Sequence, residues 1–369
     1  MKIYNKSEWK KVKLGDICEV VTGSTPLKKI KEYWDKNEVP FITPPELKYE
    51  GINYITPSIF VSKIGSNHGR IIPKNSICVC CIGSLGKLGI LKEDSITNQQ
   101  INSLILKNEN VDLLYLYFYL KTIKNNLESI ASSTTVKIIN KSSFEKIEIS
   151  LPNLEIQKKI SKKLELLENN IDFRKNQLNY LKELNKSLFT RMFGDIKTND
   201  KNWKIVKLEK YINIIGGYAF KNIDFKSSGI PLIRIGNINS GQFKSTNLVF
   251  IEENKKFEKF KVFPNDIIIS LTGTVGKDDY GNACILGDSY SEYYLNQRNA
   301  KIELTDKINK NFFLEIMKIK EVKKKLTGIS RGIRQANISN KDIYNLSLPL
   351  PPIELQNKFA ERIEKIEKL

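Results

Sequence analysis

The sequence predicts an α+β fold in which two similar mixed α/β domains are separated by long α-helices. Three observations support this prediction. The 369-residue chain repeats itself over most of its length, each copy consists of short apolar runs separated by Gly, Pro, Asn and Ser, and a heptad pattern follows the first copy. A repeat this long is a duplicated domain rather than a solenoid unit of roughly 20–50 residues.

The repeat starts at Trp9 and again at Trp203, 194 residues later. Each copy ends in the pattern Leu-Pro-x-x-x-x-Gln, at 151–157 and at 350–356. Pro just before a helix and a change from short runs to heptads mark the domain ends. The predicted organisation is a first domain at 1–152, a central long helix at 153–194, a linker at 195–202, a second domain at 203–351 and a short C-terminal helix at 352–369.

Short strands are predicted wherever an apolar run lies between turn residues. These runs are at 15–21, 39–43, 76–82 and 101–106 in the first copy and at 211–215, 231–235, 266–271 and 300–304 in the second. Helical periodicity comes late in each copy, at 111–129 and 311–327. Each copy is therefore predicted to contain a twisted, largely antiparallel sheet. The strand order does not follow from the sequence.

The central helix is predicted from a heptad seam. Two seam positions, Arg174 and Asn185, are polar, and such residues fix register or partner choice. Gly194 lies just past the end, where a C-terminal cap belongs. About 40 residues at 1.5 Å each predict a rod of roughly 60 Å. A helix packed within an ordinary bundle is the alternative. The apolar seam positions are Ile160, Leu164, Leu167, Ile171, Leu178, Leu181, Leu188 and Met192.

The chain is strongly basic, with 60 Lys and Arg against 41 Asp and Glu and a formal net charge of +19. This excess favours nucleic acid or an acidic membrane surface as partner. Only eight of the basic residues are arginines. The alternative is therefore that the lysines reflect an AT-rich genome and carry no function.

The five cysteines and one histidine predict no metal site. Cys78, Cys80 and Cys81 lie in one apolar run, whereas Cys18 and Cys284 lack the close spacing of zinc ligands. We expect buried, reduced thiols in a cytoplasmic protein. The N-terminus has no apolar region typical of a secretory signal, and the longest apolar stretch is too short to span a bilayer.

No catalytic set is recognisable in the sequence. The phosphate-binding pattern G-x-x-x-x-G-K-[ST] is absent. The nearest match to the Asx-Pro-Pro-aromatic loop of adenine methyltransferases, at 43–46, lacks both the amide and the aromatic residue. The shorter pattern G-x-x-G-K occurs in both copies and ends at Lys87 and Lys277. It is either a tight turn between strands or a loop that contacts a DNA phosphate.

Polar, donor-rich loops occur at matching positions in both copies. Asn, Gln and Arg side chains pair with the edges of adenine and guanine in the major groove. Arg331 and Arg334 rank first as base readers because the planar fork of arginine binds bidentately, with surface arginines in a loop as the alternative. The predicted DNA-binding residues are Thr22, Ser24, Thr25, Lys87, Gln99, Gln100, Thr134, Thr135, Lys137, Tyr218, Lys277, Gln297, Arg298, Arg331, Arg334 and Gln335.

Several of these segments resemble the target recognition domains of type I restriction-modification specificity subunits. The opening Trp-x-x-Val-x-Leu-Gly-Asp-Ile, the loop 22–26 and the run Pro-Phe-Ile at 40–42 are similar to one form of the domain. The segments Gly-Gly-Tyr-Ala-Phe at 216–220 and 229–238 are similar to the other common form. The Leu-Pro-x-x-x-x-Gln ending also belongs to the family pattern. The resemblance covers essentially the whole chain.

The resemblance implies two target recognition domains held apart by long helices that pack as an antiparallel coiled coil. Each domain would read one half of a bipartite DNA site, and the helices would set the spacer and dock methyltransferase subunits. The implied partners are double-stranded DNA, methyltransferase (M) subunits and, through them, restriction/translocase (R) subunits, with no membrane. The chain itself would be non-catalytic and without cofactor, since S-adenosylmethionine, ATP and Mg²⁺ would belong to partner subunits.

The second helix departs from the family pattern, in which both helices are long, because it covers only 352–369. A helix of that length would leave part of the first seam uncovered, and an exposed apolar stripe marks an interface. We expect an M subunit or another copy of the chain to cover it, with simple truncation as the alternative. The predicted interface residues are Arg174, Leu178, Leu181, Asn185 and Leu188.

Two other functions are compatible with part of the sequence. The first is a coiled-coil scaffold whose charge reflects genome composition. The second is the fused recognition part of a stand-alone restriction or methylation enzyme. The missing methyltransferase loop and the lack of room for a catalytic domain argue against the second.

Overall fold

A computed structural model of the chain describes residues 9–131, 136–274, 277, 279–327 and 335–368. The chain divides into two compact units, Met1–Gln177 and Leu178–Leu369, which we call the first and the second unit. The division falls within a single helix of 40 residues, Leu154–Phe193. This helix confirms the predicted long central helix.

The first unit is built from short strands and short helices. Its strands are β1 Lys10–Lys13, β2 Cys18–Thr22, β3 Val39–Ile42, β4 Phe60–Val61, β5 Ile77–Cys80, β6 Leu88–Ile90, β7 Ile96–Thr97, β8 Ile101–Leu106 and β9 Glu148–Leu151. Its helices are α1 Leu14–Ile17, α2 Lys63–Ser66, α3 Leu113–Thr122, α4 Lys124–Ile130 and α5 Lys141–Glu145, followed by the long helix α6 Leu154–Phe193.

Two sheets form the body of the first unit. One has four antiparallel strands in the order β2-β8-β5-β6, and the other has the order β4-β3-β7. The β3–β7 pair is parallel. Strand β1 pairs antiparallel with β9, so the opening strand of the repeat lies beside the strand that precedes α6. The predicted α+β class with a largely antiparallel sheet is confirmed.

The second unit contains the remaining elements. Its strands are β10 Lys204–Lys207, β11 Ile212–Gly216, β12 Phe225–Lys226, β13 Ile230–Ile233, β14 Val249–Ile251, β15 Lys261–Val262, β16 Ile267–Ser270, β17 Thr272–Thr274, β18 Ala283–Ile285, β19 Tyr293–Leu295, β20 Asn299–Leu304, β21 Gln335–Asn337 and β22 Ser347–Leu350. Its helices are α7 Lys310–Lys318, α8 Lys320–Thr327, α9 Asn340–Tyr344 and α10 Ile353–Glu367.

The sheets of the second unit repeat those of the first. The order β11-β20-β16-β18 corresponds to β2-β8-β5-β6, and the pair β10–β22 corresponds to β1–β9. The parallel pair β13–β19 lies within a five-stranded sheet of order β12-β14-β13-β19-β15 and corresponds to β3–β7. The duplication read from the sequence is thus a duplication of topology.

The glutamine of the Leu-Pro-x-x-x-x-Gln pattern explains why the pattern occurs twice. The Gln157 side chain is buried and donates from Nε2 to the carbonyl oxygens of Pro152 (2.8 Å) and Asn110 (3.1 Å), while its Oε1 accepts from the Asp112 N–H (2.8 Å). It therefore joins the start of α6 to the loop before α3. Gln356 makes the same three bonds, to Pro351 O, Lys307 O and Asn309 N.

Three elements predicted from the sequence are wrong in part. The predicted strand at 15–21 begins as helix α1, because the Asp16 carboxylate accepts the Lys13 N–H (3.1 Å) and caps a short turn. The predicted helices at 111–129 and 311–327 are each two helices, broken at Ile123 and Ile319. The backbone leaves the helical conformation at Ile123 (φ −94°, ψ 13°) and is extended at Ile319 (φ −67°, ψ 127°). Both isoleucines pack against the core of their unit, so tertiary packing overrides the local helical pattern.

The cysteines are buried within the units and unbridged. Burial raises the pKa of the Cys18, Cys78, Cys81 and Cys284 thiols to about 12, so these thiols are protonated at neutral pH. In the described part of the chain, no three His, Cys, Asp or Glu side chains are grouped to hold a metal ion. No helix within the described ranges is long and apolar enough to cross a membrane.

Helix α6 is embedded at its two ends. Leu164 packs against the core of the first unit, where Lys121 Nζ also lies 2.6 Å from Glu168 Oε1. Phe189 and Phe193 belong to the core of the second unit. The large apolar side chains exposed along α6 are Leu166, Leu167, Ile171, Phe173, Leu178, Tyr180 and Leu184.

The residues of the predicted interface differ in exposure. Leu178 is exposed, and Leu181 and Leu188 are half-buried, the latter against the core of the second unit. Arg174 Nη1 donates to Gln177 Oε1 (2.8 Å). The Oδ1 atom of Asn185 is buried and has no donor among the described residues. The interface with another subunit stays a prediction.

Candidate nucleic-acid interface

In the first unit, the loops that carry predicted DNA-binding residues lie side by side. The loop after β2 contacts the turn 97–100, this turn contacts the loop after β5, and that loop contacts the segment before α5. Main-chain hydrogen bonds make these connections: Gly23 N–H to Ile101 O (3.1 Å), Ser24 N–H to Thr97 O (2.8 Å), Cys81 N–H to Gln100 O (2.8 Å), Gly83 N–H to Lys137 O (3.0 Å) and Ile139 N–H to Cys81 O (2.9 Å).

Several predicted hydroxyl donors of the first unit are engaged within these loops. Thr22 Oγ1 donates to Asn102 Oδ1 (2.7 Å), and Thr25 Oγ1 donates to Gln99 Oε1 (2.5 Å). Arg70 Nη1 donates to the carbonyl oxygen of Thr22 (2.6 Å). The bond between Thr25 and Gln99 holds the loop after β2 against the turn 97–100. The bond to Thr25 uses the Oε1 atom of Gln99 and does not use its NH₂ group.

The turn ending at Lys87 has the geometry that its glycines predict. Gly83 and Gly86 have φ of +78° and +76°, a backbone conformation that residues other than glycine rarely adopt. Lys87 Nζ and Lys124 Nζ lie 5.7 Å and 4.0 Å from the centroid of the Tyr49 ring. The tight turn is therefore confirmed, and a phosphate contact by Lys87 stays a prediction.

Another predicted lysine of the first unit, Lys137, lies on the loop set described above. Its Nζ is 3.4 Å from Glu128 Oε2, and both side chains are exposed. An exposed ion pair of this kind contributes about 0–1 kcal/mol. The pair is therefore weak enough to be exchanged for a phosphate, and a DNA contact by Lys137 stays a prediction.

The second unit holds its loops with the same hydrogen bonds at matching positions. They connect the loop after β11, the turn 295–299, the segment after β16 and the segment before α9. The bonds are Gly217 N–H to Asn299 O (3.2 Å), Tyr218 N–H to Leu295 O (2.8 Å), Leu271 N–H to Arg298 O (2.9 Å) and Ile338 N–H to Leu271 O (2.8 Å). One loop framework thus occurs twice.

Tyr218 has a structural role in this framework. Its ring centroid lies 5.0 Å, 4.9 Å and 5.1 Å from the rings of Phe220, Phe257 and Phe260, and its carbonyl oxygen accepts the Gln297 N–H (2.9 Å). The side chain is 36% exposed. Aromatic packing therefore fixes the loop after β11, and that loop holds the main chain of the turn 295–299 at Gln297.

The structure describes only some of the other predicted residues of the second unit. Lys277 is exposed and its N–H donates to Thr274 O (3.0 Å), and Gln335 starts β21, opposite Thr274. The predicted base readers Arg331 and Arg334, and in the first unit Thr134 and Thr135, lie outside the described residues.

A cleft of about 730 Å³ opens in the second unit beside the turn 295–299. The predicted residues Gln297 and Arg298 line it together with Arg234, which the sequence did not single out. Arg234 follows β13 directly, and Ile233 O accepts the N–H of Asn296 (3.1 Å). This bond brings two loops together that are far apart in sequence. The rarity of arginine in the chain is the sequence feature that could have pointed to Arg234.

Comparison with known proteins identifies the family. Residues 6–183 and 200–369 each match the family model of the type I restriction modification DNA specificity domain. The chain belongs to this family. The match covers both copies of the repeat, so the resemblance read from the sequence is confirmed.

Relatives of this specificity-domain protein match it over nearly the whole chain or over one part of it. The specificity subunit of the type I restriction enzyme MjaVIII from Methanocaldococcus jannaschii is 29% identical over 385 residues, which cover 98% of this chain and 87% of that protein. The HindI specificity subunit from Haemophilus influenzae is 36% identical over 161 residues, which cover 41% of this chain and 34% of that protein.

A crystal structure shares the fold. The S subunit of a type I restriction-modification system from M. genitalium superposes with a TM-score of 0.63 at 17% identity, over 100% of this chain and 91% of that chain. The predicted architecture of two specificity domains with a long helix is therefore that of a solved specificity subunit.

Proposed function

We propose that this chain is the DNA sequence-recognition subunit of a type I restriction-modification complex. Each unit reads one half of a bipartite target, and the long helix sets the unread spacer. One observation carries the proposal: the same main-chain bonds hold the loops of both units, whereas the side chains on those loops differ. A common framework with different donors suits two readers of different sequences.

The charge of the chain supports duplex DNA as the ligand. A net charge of +19 supplies the sequence-independent attraction to phosphates, while Asn, Gln and Arg on the loops supply the base contacts. Catalysis belongs to other subunits in this proposal. Methyltransferase subunits would hold S-adenosylmethionine, restriction subunits would hold ATP and Mg²⁺, and the assembly would act in the cytoplasm.

Genomic methylation tests the proposal directly. We expect single-molecule sequencing of DNA from the source organism to show methylated adenines in a bipartite motif with a fixed gap. Deletion of the gene for this chain should remove that methylation, and the intact gene should restore it. Methylation that is unchanged by the deletion would refute the proposal.

Binding in vitro separates a reader from a coiled-coil scaffold. The full chain, co-purified with its methyltransferase subunit, should bind the methylated motif, and its affinity should fall by roughly 10³–10⁵ between 50 and 200 mM salt if it makes about 6–10 phosphate contacts. A duplex with the same composition but a gap longer by one base pair is the matched control and should bind weakly. Equal affinity for both duplexes would support the scaffold instead.

A further inference from the structure

The cleft of the second unit is rich in hydrogen-bond donors. Its lining includes the cations Arg234, Lys244 and Arg298, the amides of Asn296 and Gln297, and no carboxylate among the described residues that line it. Gly236 also lines it, and a Cβ built on this glycine would meet no described atom within 4 Å. There is therefore open space beside Gly236 in this cleft.

Arg234 is held in place but its donors are mostly unused. Its Nη2 donates to Asn247 O (2.9 Å), and its guanidinium carbon lies 5.8 Å from the centroid of the Phe225 ring. Its Nε is buried and has no acceptor among the described residues. A guanidinium has five N–H groups in a planar fork. Stacking on Phe225 thus orients a fork whose terminal Nη donors, apart from the one bound to Asn247 O, are left for a ligand in the cleft.

The first unit has the same backbone at this place but other chemistry. The Arg234 N–H donates to Asn237 Oδ1 (3.0 Å), and at the matching position the Thr43 N–H donates to Glu46 Oε2 (2.9 Å). Glu46 also accepts from the Thr43 hydroxyl (2.7 Å). The framework is shared, so the change from threonine to arginine is a change in what the loop can bind.

A second arginine of the cleft, Arg298, also stands on a backbone framework that both units share. The carbonyl oxygen of Arg298 accepts the Leu271 N–H (2.9 Å), and the matching carbonyl in the first unit belongs to Gln100, which accepts the Cys81 N–H (2.8 Å). Two arginines that line one cleft of the second unit therefore stand where the first unit has neutral side chains.

We propose that Arg234 reads a guanine in the half-site bound by the second unit, with two hydrogen bonds to its O6 and N7 atoms. This inference rests on the proposed function. An arginine fork matches the two acceptors of guanine in the major groove. A phosphate contact needs only a charge, which a flexible surface lysine provides, whereas Arg234 is stacked and partly buried. The neutral Thr43 at the matching place gives the first unit no such preference.

Selection from DNA with randomised half-sites tests the inference on the full chain in complex with its methyltransferase subunit. We compare the unaltered protein with Arg234→Thr, Arg234→Lys and the control Lys210→Ala, which removes an exposed charge elsewhere in the second unit. Arg234→Thr introduces the residue that the same framework already carries in the first unit, so the fold is expected to tolerate it.

We expect the unaltered protein to select guanine at one position of one half-site. Arg234→Thr should lose at least about 10-fold of that discrimination and leave the other positions unchanged. Arg234→Lys should also lose it, because a point charge does not replace the fork. Replacing that guanine by 7-deazaguanine, which lacks the N7 acceptor, should weaken binding of the unaltered protein and not of Arg234→Thr.

Two outcomes would overturn the assignment while the proposed function stands. Either the Arg234 variants keep every base preference of the unaltered protein, or they weaken binding uniformly across sequences, as the loss of a phosphate contact would. A third outcome, in which the unaltered complex selects no bipartite sequence, would refute the proposed function and the inference with it.

Discussion

Replacing Phe193 by alanine is expected to lower the free energy of unfolding of the second unit by about 3–5 kcal/mol. Phe193 is 1% exposed, and its ring centroid lies 4.8 Å, 4.9 Å and 5.2 Å from those of Phe189, Phe312 and Phe359. These rings come from α6, α7 and α10. Truncation leaves a cavity among three helices that cannot collapse without moving the end of the long helix.

Phe173 provides the matched control for this prediction. It lies on the same helix and is 65% exposed, so Phe173→Ala should change the stability of the isolated chain by no more than about 0.5 kcal/mol. Urea unfolding followed by hydrogen exchange in α7 and α10 measures the effect in the second unit. Equal destabilisation by the two variants would show that the four rings do not form the core of this helix junction.

The heptad pattern predicted the helix but not its most buried residues. The seam ended at Leu188 and Met192, which are only half-buried, whereas Phe189 and Phe193 are among the core residues. A straight helix drifts by about 20° per heptad relative to a strict seven-residue repeat. By its last turns the helix packs into a domain core, and the neighbouring helices decide which side faces inward.

The strands predicted from short, largely apolar runs were the most predictable elements. The run at 101–106 coincides with β8, and the run at 76–82 contains β5. The parallel pairing of β3 with β7 was not predictable, because β7 has only two residues and its partner is distant in sequence. Strand order depends on tertiary contacts that leave no local pattern.

The candidate site was predictable in its loops and not in its cleft. Gln297 and Arg298 were found because a polar triplet recurs at matching positions, but Arg234 lies at the end of an apolar strand and has a threonine as its counterpart. The parallel pairing of β13 with β19 and the bond from Asn296 N–H to Ile233 O bring these segments together, and neither follows from the local sequence. A repeat therefore reveals what two domains share and conceals what distinguishes them.

Gly217→Ala is expected to separate two loops of the candidate interface. A Cβ at Gly217 would lie 2.3 Å from Asn296 O and 2.5 Å from Leu295 O, so the main chain must shift. Overpacking of this kind costs about 1–3 kcal/mol or more. The shift would break the bonds that join Tyr218 to Leu295 and Gln297. Affinity for the cognate duplex should fall about 100-fold or more, since several base contacts of one half-site are lost together.

The adjacent Gly216 is the matched control, because a Cβ there would meet no described atom within 4 Å. Gly216→Ala should leave melting temperature and affinity unchanged. Gly23→Ala tests the same contact in the first unit, where a Cβ would lie 2.2 Å from Asn98 O. Selection from randomised duplexes should show base preference lost in one half-site for Gly23→Ala and in the other for Gly217→Ala. If both glycine variants affect the same half-site, the two units do not read separate halves, because each substitution disturbs the loops of one unit only.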